Sequence, residues 1–328
     1  MPRTIQIAAI TLLILIPTGV IFERIGQRRD LHRYPQIGKS VDIGGRTLNI
    51  YCSGEGSPTV IFDTFGHASG YSWIGVQPEA AKLTRACWYD HAGYGWSEPG
   101  PMPSTYQSIA SDLHALLHTA NISPPYVLVG ANEATLHIRL FHGLYPSEVG
   151  GAVMVNALDV DGPALTVPDS AKGPWDRHFG SFAPRIRGTA CLAFPTMARV
   201  GVLRLAGIFS SPRATPASGL TPDQQAELDE LSDNPTAARG GEACDRNEGM
   251  EEVRAAGDLG DRPLILLFSP DRAFPSVWNE AQIDQIQPRL AKLSSRGRLT
   301  VVDQITPATI VSAVRDVIGA LAAENPAR

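Results

Sequence analysis

YVLVGANEATLHIRL, the stretch from Tyr126 to Leu140, decides the fold of this chain. It begins with a short apolar run of β type, turns at Gly130, and continues in a pattern typical of a helix. A strand, a sharp turn and a helix in this order form an elbow at the edge of a sheet. The residue in the middle of the turn is Asn132, whose amide is not a nucleophile at neutral pH. The stretch therefore predicts a fold and leaves its chemistry open.

Length and charge narrow the class of protein. The chain has 328 residues, of which 43% are hydrophobic, and this fits one large domain that carries an insertion. The net charge is −5 and the sequence pI is about 5.9. No run of Lys and Arg interleaves with aromatic residues in the body of the chain. These features exclude nucleic acid as an expected partner, because a phosphate backbone requires a basic surface.

The amino-terminal stretch from Ile5 to Phe22 is apolar except for five positions. The exceptions are Gln6, Thr11, Pro17, Thr18 and Gly19. At a helical rise of about 1.5 Å per residue the stretch is about 27 Å long, which is close to the bilayer core of about 30 Å. No small-x-small cleavage site follows it. We expect an uncleaved single-pass transmembrane helix in contact with lipid; a signal peptide and a buried helix are the alternatives.

Two signals disagree about the side of the membrane on which the body lies. Four arginines follow the apolar stretch closely and only Arg3 precedes it, which favours a cytoplasmic body. The cysteines favour the opposite side. Cys52 and Cys87 could form a disulfide if their predicted strands are antiparallel neighbours, and Cys191 and Cys244 make a second possible pair. Buried free thiols are the alternative. We slightly favour the extracytoplasmic side.

The remaining pattern predicts a layered α/β domain. A Gly44-Gly45 hairpin comes first, and then apolar strands such as Thr59 to Asp63 and Gly151 to Ala157 alternate with helices. This alternation predicts a mostly parallel, doubly wound sheet. Between Asp161 and Gly260 short amphipathic pieces replace the strands, as in an inserted helical lid. The predicted divisions are 1–34 anchor, 35–160 first part of the core, 161–260 lid and 261–328 last part of the core.

Two segments carry a family resemblance. YDHAGYGWS, from Tyr89 to Ser97, and PYVLVG followed by HIRL resemble membrane-anchored bacterial α/β-hydrolases, and the resemblance extends from about Arg33 to the carboxyl terminus. It implies the α/β-hydrolase fold and a place in the bacterial cytoplasmic membrane. In that superfamily the elbow reads GxSxG. Here it runs from Gly130 to Ala134 and places Asn132 where the family has its nucleophilic serine.

The resemblance also implies a catalytic histidine that this chain lacks. The superfamily uses Ser, Asp or Glu, and His in that order, with the histidine after the last strand. The final histidine of this chain is His178, inside the predicted lid, and the turn beyond Leu299 contains Asp303 and Gln304 instead. Asp271 is the candidate for a surviving carboxylate. An Asp nucleophile of the dehalogenase type, formed by deamidation of Asn132, would need the same missing histidine.

Several residues are candidates for the rim of a pocket. Gly66 and His67 lie in the loop that supplies an oxyanion-hole amide in relatives, so His67 is either a ligand contact or a locally bonded loop residue. We expect Asn132 to point into the pocket. Glu133 is a candidate partner for a lid arginine or, less plausibly, a general base.

Metal and cofactor chemistry is not expected. His91 and Asp90 fit the structure of a turn better than catalysis, although His91 belongs to the candidate pocket residues. A metal site formed by these two residues and His67 has no paired ligand spacing on one helix or hairpin to support it. We therefore expect no metal and no cofactor.

Together these features predict a non-catalytic, membrane-anchored α/β-hydrolase-like protein. It would act as a binding or assembly subunit beside other membrane-protein subunits. One alternative is a receptor for an apolar small molecule under the lid. Another is a non-hydrolytic enzyme, a lyase or a cofactor-free oxygenase, that uses His67 or Glu133. A serine-independent ester hydrolase is the last alternative, because fold similarity alone is weak evidence for function.

Overall fold

An eight-stranded sheet forms the centre of the computed structural model, which describes residues 3–64, 68–101, 104–161, 196–197, 199–205, 220–233, 246–270 and 280–324. The strands are β1 (Lys39–Asp42), β2 (Thr47–Ser53), β3 (Thr59–Asp63), β4 (Ala86–Tyr89), β5 (Tyr126–Ala131), β6 (Val149–Val155), β7 (Leu264–Phe268) and β8 (Gly297–Val301). Their order in the sheet is β1-β2-β4-β3-β5-β6-β7-β8. The β1–β2 and β2–β4 pairs are antiparallel and the others are parallel, so the predicted, mostly parallel sheet is confirmed.

Helices cover both faces of this sheet. The helices of the described residues are α1 (Arg3–Arg33), α2 (Gln77–Ala80), α3 (Tyr106–Thr119), α4 (Ala134–Leu144), α5 (Val202–Leu205), α6 (Pro222–Asp233), α7 (Arg246–Ala255), α8 (Glu280–Ala291) and α9 (Pro307–Glu324), with a 3-10 turn at Gly70–Trp73. Residues of α3, α4, α7 and α8 pack on one face, around Leu128 of β5. Residues of α2, α6 and α9 pack on the other face, around Val127 and Val129. Burial on both faces explains why the central strands are apolar throughout.

The stretch between β6 and β7 corresponds to the predicted lid. Where the structure describes it, this stretch contains α5, α6 and α7 and no strand. Leu228 of α6 is buried in the hydrophobic cluster that also contains Trp88 and Trp96. Its boundaries as a separate lid, and the other predicted divisions of the chain, stay predictions. Cys191 and Cys244 lie outside the described residues.

The predicted Cys52–Cys87 disulfide is present. β2 and β4 are antiparallel neighbours, and Cys52 lies directly opposite Cys87 in their register. The bond therefore links the two strands at the boundary between the antiparallel part and the parallel part of the sheet.

The prediction of a transmembrane helix at Ile5 to Phe22 is wrong. Among the residues that the structure describes, no helix is both long enough and apolar enough to cross a membrane. The stretch is part of the 31-residue helix α1, which contains Pro17 and continues into a charged segment. The five polar or helix-disfavouring positions within the stretch, together with this continuation, explain why the helix is less apolar than a membrane span requires.

Helix α1 also contacts the body of the protein. The carboxylate of Glu23 is 2% exposed and accepts hydrogen bonds from Arg204, the shorter at 3.0 Å from Nε. Gly19 approaches the carbonyl oxygen of Val200 so closely that a Cβ atom would lie 2.2 Å from it. Glycine is required there because the two backbones touch. An ion pair and a close backbone contact thus hold α1 against the segment that contains α5.

Candidate functional site

The elbow between β5 and α4 keeps its strained shape. Asn132 has φ of +52°, a left-handed conformation that asparagine adopts more readily than most residues. Its backbone N–H donates to the carbonyl of Val155 at 2.9 Å, and its own carbonyl accepts from the Thr135 hydroxyl at 2.6 Å. At Gly130 a Cβ atom would lie 2.9 Å from both Ala134 and Ile138, so only glycine lets the helix pack this close to the strand. The turn therefore has the tight strand-to-helix geometry of a nucleophile elbow, with the amide residue Asn132 at its tip.

The loop after β8 contains no imidazole. Residues 302–306 connect β8 to α9, and the exposed Asp303 and Gln304 occupy the turn. The hydroxyl of Ser269, which follows β7, donates to the carbonyl of Asp303 at 2.8 Å and fixes this loop to the end of the sheet. Asp271, Gly66 and His67 lie outside the described residues. The described end of the sheet thus has no base at the position where the superfamily has its histidine.

A buried cluster of two histidines and one carboxylate lies close to the elbow. Asp63 ends β3 and is paired in register with Gly130 of β5. One oxygen of Asp63 is 2.7 Å from Nε2 of His91, and the other is 3.2 Å from Nδ1 of His137. The three side chains are between 2% and 4% exposed. We call Asp63, His91 and His137 the buried histidine cluster.

The electrostatics of this cluster favour an ionised carboxylate. Burial by itself would raise the pKa of Asp63, but the charges of and hydrogen bonds from His137 and His91 outweigh burial and hold the pKa well below its usual value. The hydroxyl of Tyr89 also donates to Asp63, at 3.1 Å. Asp63 is therefore an anion that three neighbouring groups stabilise.

The space beside the cluster is closed. It is lined by Asp63, His137 and apolar side chains of α3, α4 and β5, and it is too narrow to admit a water molecule. The imidazole nitrogens and the carboxylate oxygens of the cluster are possible metal ligands and lie within 4.8 Å of one another. Each imidazole is instead bound to a different oxygen of Asp63, as in a satisfied hydrogen-bond network.

Glu133 lies next to the elbow and is hydrogen-bonded. The hydroxyl of Tyr106 donates to its Oε1 at 2.5 Å, and the Tyr106 ring stands edge-on to the ring of His137 with centroids 5.2 Å apart. Tyr106 thus connects Glu133 with the buried histidine cluster. The lid arginine expected as the partner of Glu133 stays a prediction.

Asp90 organises the turns around this site. It is fully buried and accepts hydrogen bonds from Ser69, the backbone of Gly70, the side chain of Asn49 and the backbone of Trp96. Burial raises the pKa of Asp90, and these hydrogen bonds oppose the rise. The side chain ties β2 and the 3-10 turn to the loop after β4, which agrees with the structural role expected for it.

The sequence alone does not reveal three of the residues that the fold brings together here. Asp63 reads as the end of a buried strand, His137 as part of a helix and Tyr106 as the start of another. Asp63 is 28 residues from His91 and 74 residues from His137. The one local signal is that Asp63 is a polar residue at the end of a predicted apolar strand, where the carboxyl ends of parallel strands meet at one edge of the sheet.

A second group of side chains suited to a metal lies at the opposite end of the sheet. Nε2 of His114 and Nε2 of His118, both on α3, are 3.1 Å and 3.0 Å from the same oxygen of Glu148, which directly precedes β6. We call these three residues the surface histidine cluster. The two histidines are four residues apart on one helix, which is a paired ligand spacing that the sequence reading overlooked.

Comparison with known proteins agrees with the fold. A family model described as alpha/beta hydrolase fold matches residues 58–186. The structure is similar to the haloalkane dehalogenase DbeA from Bradyrhizobium elkani, with a TM-score of 0.62 and 17% identity over 87% of this chain and 98% of that chain. At this identity the likeness shows the fold alone. The family model and the solved structure thus both support the α/β-hydrolase fold for this chain.

Two relatives with curated descriptions are themselves uncharacterized. The uncharacterized protein YbdG of Bacillus subtilis is 23% identical over 171 residues, which are 52% of this chain and 51% of that protein. An uncharacterized vacuolar membrane protein of Saccharomyces cerevisiae is 34% identical over 88 residues, 26% of this chain and 14% of that protein. The chain thus spans about half the length of the first relative and less of the second.

Proposed function

We propose that this protein is a non-hydrolytic member of the superfamily and acts by binding. The observation that carries the proposal is the combination of an intact elbow with Asn132 at its tip and a loop after β8 without an imidazole. Ester hydrolysis through a covalent intermediate needs a nucleophile and a base that takes its proton. An amide at the elbow supplies no nucleophile, and residues 302–306 supply no imidazole.

The buried histidine cluster does not replace the missing base. His91 and His137 are 2% and 3% exposed, and both are bound to Asp63. A general base must come within hydrogen-bond reach of the proton that it removes. These imidazoles are enclosed by protein, which supports a role in holding the elbow in shape.

An assembly role is supported by the surface of α1. Large apolar side chains on this helix are strongly exposed, for example Leu13 at 73% and Ile7 at 64%. Continuous exposed apolar surface commonly marks an interaction site. We infer that α1 binds another protein subunit through this surface, while the Glu23–Arg204 ion pair fixes the helix to the body. A membrane setting for the complex rests on the name of the yeast relative and is part of the proposal.

The test of non-hydrolysis is turnover of p-nitrophenyl esters of several chain lengths by the purified full chain. We expect no turnover by the wild type or by Asn132→Ser, because a serine would have no base to activate it. The double variant Asn132→Ser with Gln304→His supplies both a serine at the elbow and an imidazole in the loop after β8, and it serves as the positive control. Wild-type turnover that disappears in Asn132→Ala would overturn the proposal.

The test of assembly uses mild-detergent purification followed by intact-mass analysis. A stoichiometric second protein that is lost in the variant Leu13→Glu, and kept in Arg28→Glu on the same helix, would support a subunit role. A single chain carrying a small molecule would favour the receptor alternative, and a single bare chain would contradict both forms of binding.

A non-hydrolytic enzyme is the second candidate, and the Tyr106–Glu133 hydrogen bond beside the elbow favours it. The Glu133 carboxylate could act as a general base and the Tyr106 hydroxyl as a general acid. If such an activity exists, it should fall in both Glu133→Gln and Tyr106→Phe. An activity unchanged by both substitutions would end this reading.

A further inference from the structure

We propose that the surface histidine cluster, His114, His118 and Glu148, is a binding site for a divalent transition-metal ion of the zinc class. Two imidazole nitrogens and a carboxylate oxygen suit Zn²⁺, Co²⁺, Ni²⁺ or Cu²⁺ better than Mg²⁺ or Ca²⁺, which prefer oxygen ligands. The proposal does not depend on the proposed function, because Glu148 precedes β6 at the amino edge of the sheet and Asn132 follows β5 at the carboxyl edge.

The distances within the cluster are close to those of a metal site. Both Nε2 atoms lie 3.0–3.1 Å from one and the same oxygen, Oε1 of Glu148. Bond lengths of about 2.0–2.2 Å in a tetrahedral zinc site separate neighbouring ligand atoms by about 3.4 Å. The two imidazole–carboxylate distances therefore need to lengthen by only about 0.3–0.4 Å, and all three ligand atoms already lie within 4.8 Å of one another.

Two of the three ligands are already held in place. The backbone N–H of Glu148 donates to the carbonyl of Tyr145 at 3.0 Å, and its carbonyl accepts from Tyr126 at 2.8 Å. The ring of His114 stacks on the ring of Tyr145, with centroids 3.9 Å apart and planes 10° apart. Fixed ligands lose little conformational entropy on binding, so this arrangement favours affinity.

Glu148 also has unused binding capacity. Its Oε2 atom is buried and has no hydrogen-bond partner among the described residues. A buried carboxylate oxygen without a partner costs free energy, and a cation at the cluster would compensate for it. This oxygen is a second, independent indication that the carboxylate is arranged for a positive ligand.

The cluster is open to solvent. The side chain of His118 is 54% exposed and that of His114 is 30% exposed, so an ion can enter without any change of fold. Three protein ligands leave one position of a tetrahedral ion for water or an added ligand. The buried histidine cluster is different: it is enclosed by protein, and its two imidazoles bind different oxygens of Asp63.

The test is titration of the metal-free full chain with Zn²⁺ against a chromophoric chelator, repeated with Co²⁺ to record its visible absorption. We expect one ion per chain and the strong absorption of tetrahedral Co²⁺. Affinity should fall at least 10-fold in His118→Gln and in Glu148→Gln, while His32→Gln, which removes an exposed imidazole on α1, leaves it unchanged. His118 is exposed enough that its replacement should not disturb folding.

Three outcomes would overturn the proposal. The wild type could fail to bind at 1:1 stoichiometry, the cluster variants could bind as tightly as the wild type, or binding could be lost in His91→Gln and kept in His118→Gln. The last result would assign the ion to the buried cluster. Melting temperature gives a second readout, because Zn²⁺ should raise it in the wild type and in His32→Gln but not in Glu148→Gln.

Discussion

The buried and the surface histidine clusters contain the same chemical groups in opposite surroundings. In the buried cluster Asp63 offers a different oxygen to each imidazole, and no side chain is more than 4% exposed. In the surface cluster both imidazoles share one oxygen of Glu148, and His118 is 54% exposed. Burial makes the first cluster a structural network, because both imidazoles are bound to the same enclosed carboxylate. Exposure leaves the second free to exchange its hydrogen bonds for another ligand.

The largest expected difference between the clusters is in how much the free energy of unfolding falls when the carboxylate is replaced by alanine. Asp63→Ala removes the buried carboxylate to which both imidazoles are bound, so we expect a loss of about 3–5 kcal/mol in the free energy of unfolding. Glu148→Ala should cost about 1 kcal/mol or less, because its partners are solvated. Urea unfolding at pH 7 in a metal chelator, followed by tryptophan fluorescence, measures both. Equal losses would show that burial does not distinguish the clusters.

An intermediate effect on the free energy of unfolding is expected from the protonation of His142, a histidine that belongs to neither cluster. Burial lowers its pKa below the ordinary value of 6.5, and the charge of Arg262 lowers it further. A group whose pKa is lowered by folding contributes its full stability above the unfolded pKa, and that stability is lost as the pH falls. We expect the free energy of unfolding to decrease below about pH 6.5, by at most about 1.4 kcal/mol per pH unit for this group.

The measurement is urea unfolding between pH 7.5 and pH 5 for the wild type and for His142→Gln. The variant should lose less stability than the wild type over this interval. A steeper loss in the variant would contradict the assigned direction of the pKa shift.

The smallest effect is expected for His118→Gln without metal. An exposed imidazole that shares a carboxylate contributes little, so the free energy of unfolding should change by no more than about 0.5 kcal/mol. Circular dichroism during thermal unfolding in a chelator is sufficient to measure it. A loss of several kcal/mol would mean that the surface cluster is structural like the buried one, and the contrast between them would fail.

The features that could be predicted from the sequence are those with a local signal. The elbow combines a β run, Gly130 and a helical pattern within 15 residues. Cys52 and Cys87 lie at the ends of two predicted strands and could be paired on the condition that these strands are antiparallel neighbours, which the structure confirms. The spacing of His114 and His118, four residues apart on one predicted helix, is an equally local signal for a pair of ligands. Glu148, the third ligand, lies 34 residues beyond His114 and joins it only through the fold.

The remaining features depend on contacts between distant parts of the chain. Asp63 meets His91 and His137 because β3 lies between β4 and β5, an order that no local pattern encodes. The amino-terminal helix shows the opposite error. The length of the apolar stretch between Ile5 and Phe22 predicts a membrane span, whereas the polar interruptions leave the helix too little apolar to cross a membrane.

The redox state of the Cys52–Cys87 pair indicates whether the protein folded in an oxidising or a reducing compartment. The crosslink closes a loop across 35 residues of sequence separation, and Cys87 is fully buried, so ordinary handling should leave the bond as it was formed. Peptides from a digest of protein taken from its native cells would therefore carry the two cysteines either joined or separate. Joined peptides would place the folded domain in an oxidising compartment without any knowledge of its ligand or partner.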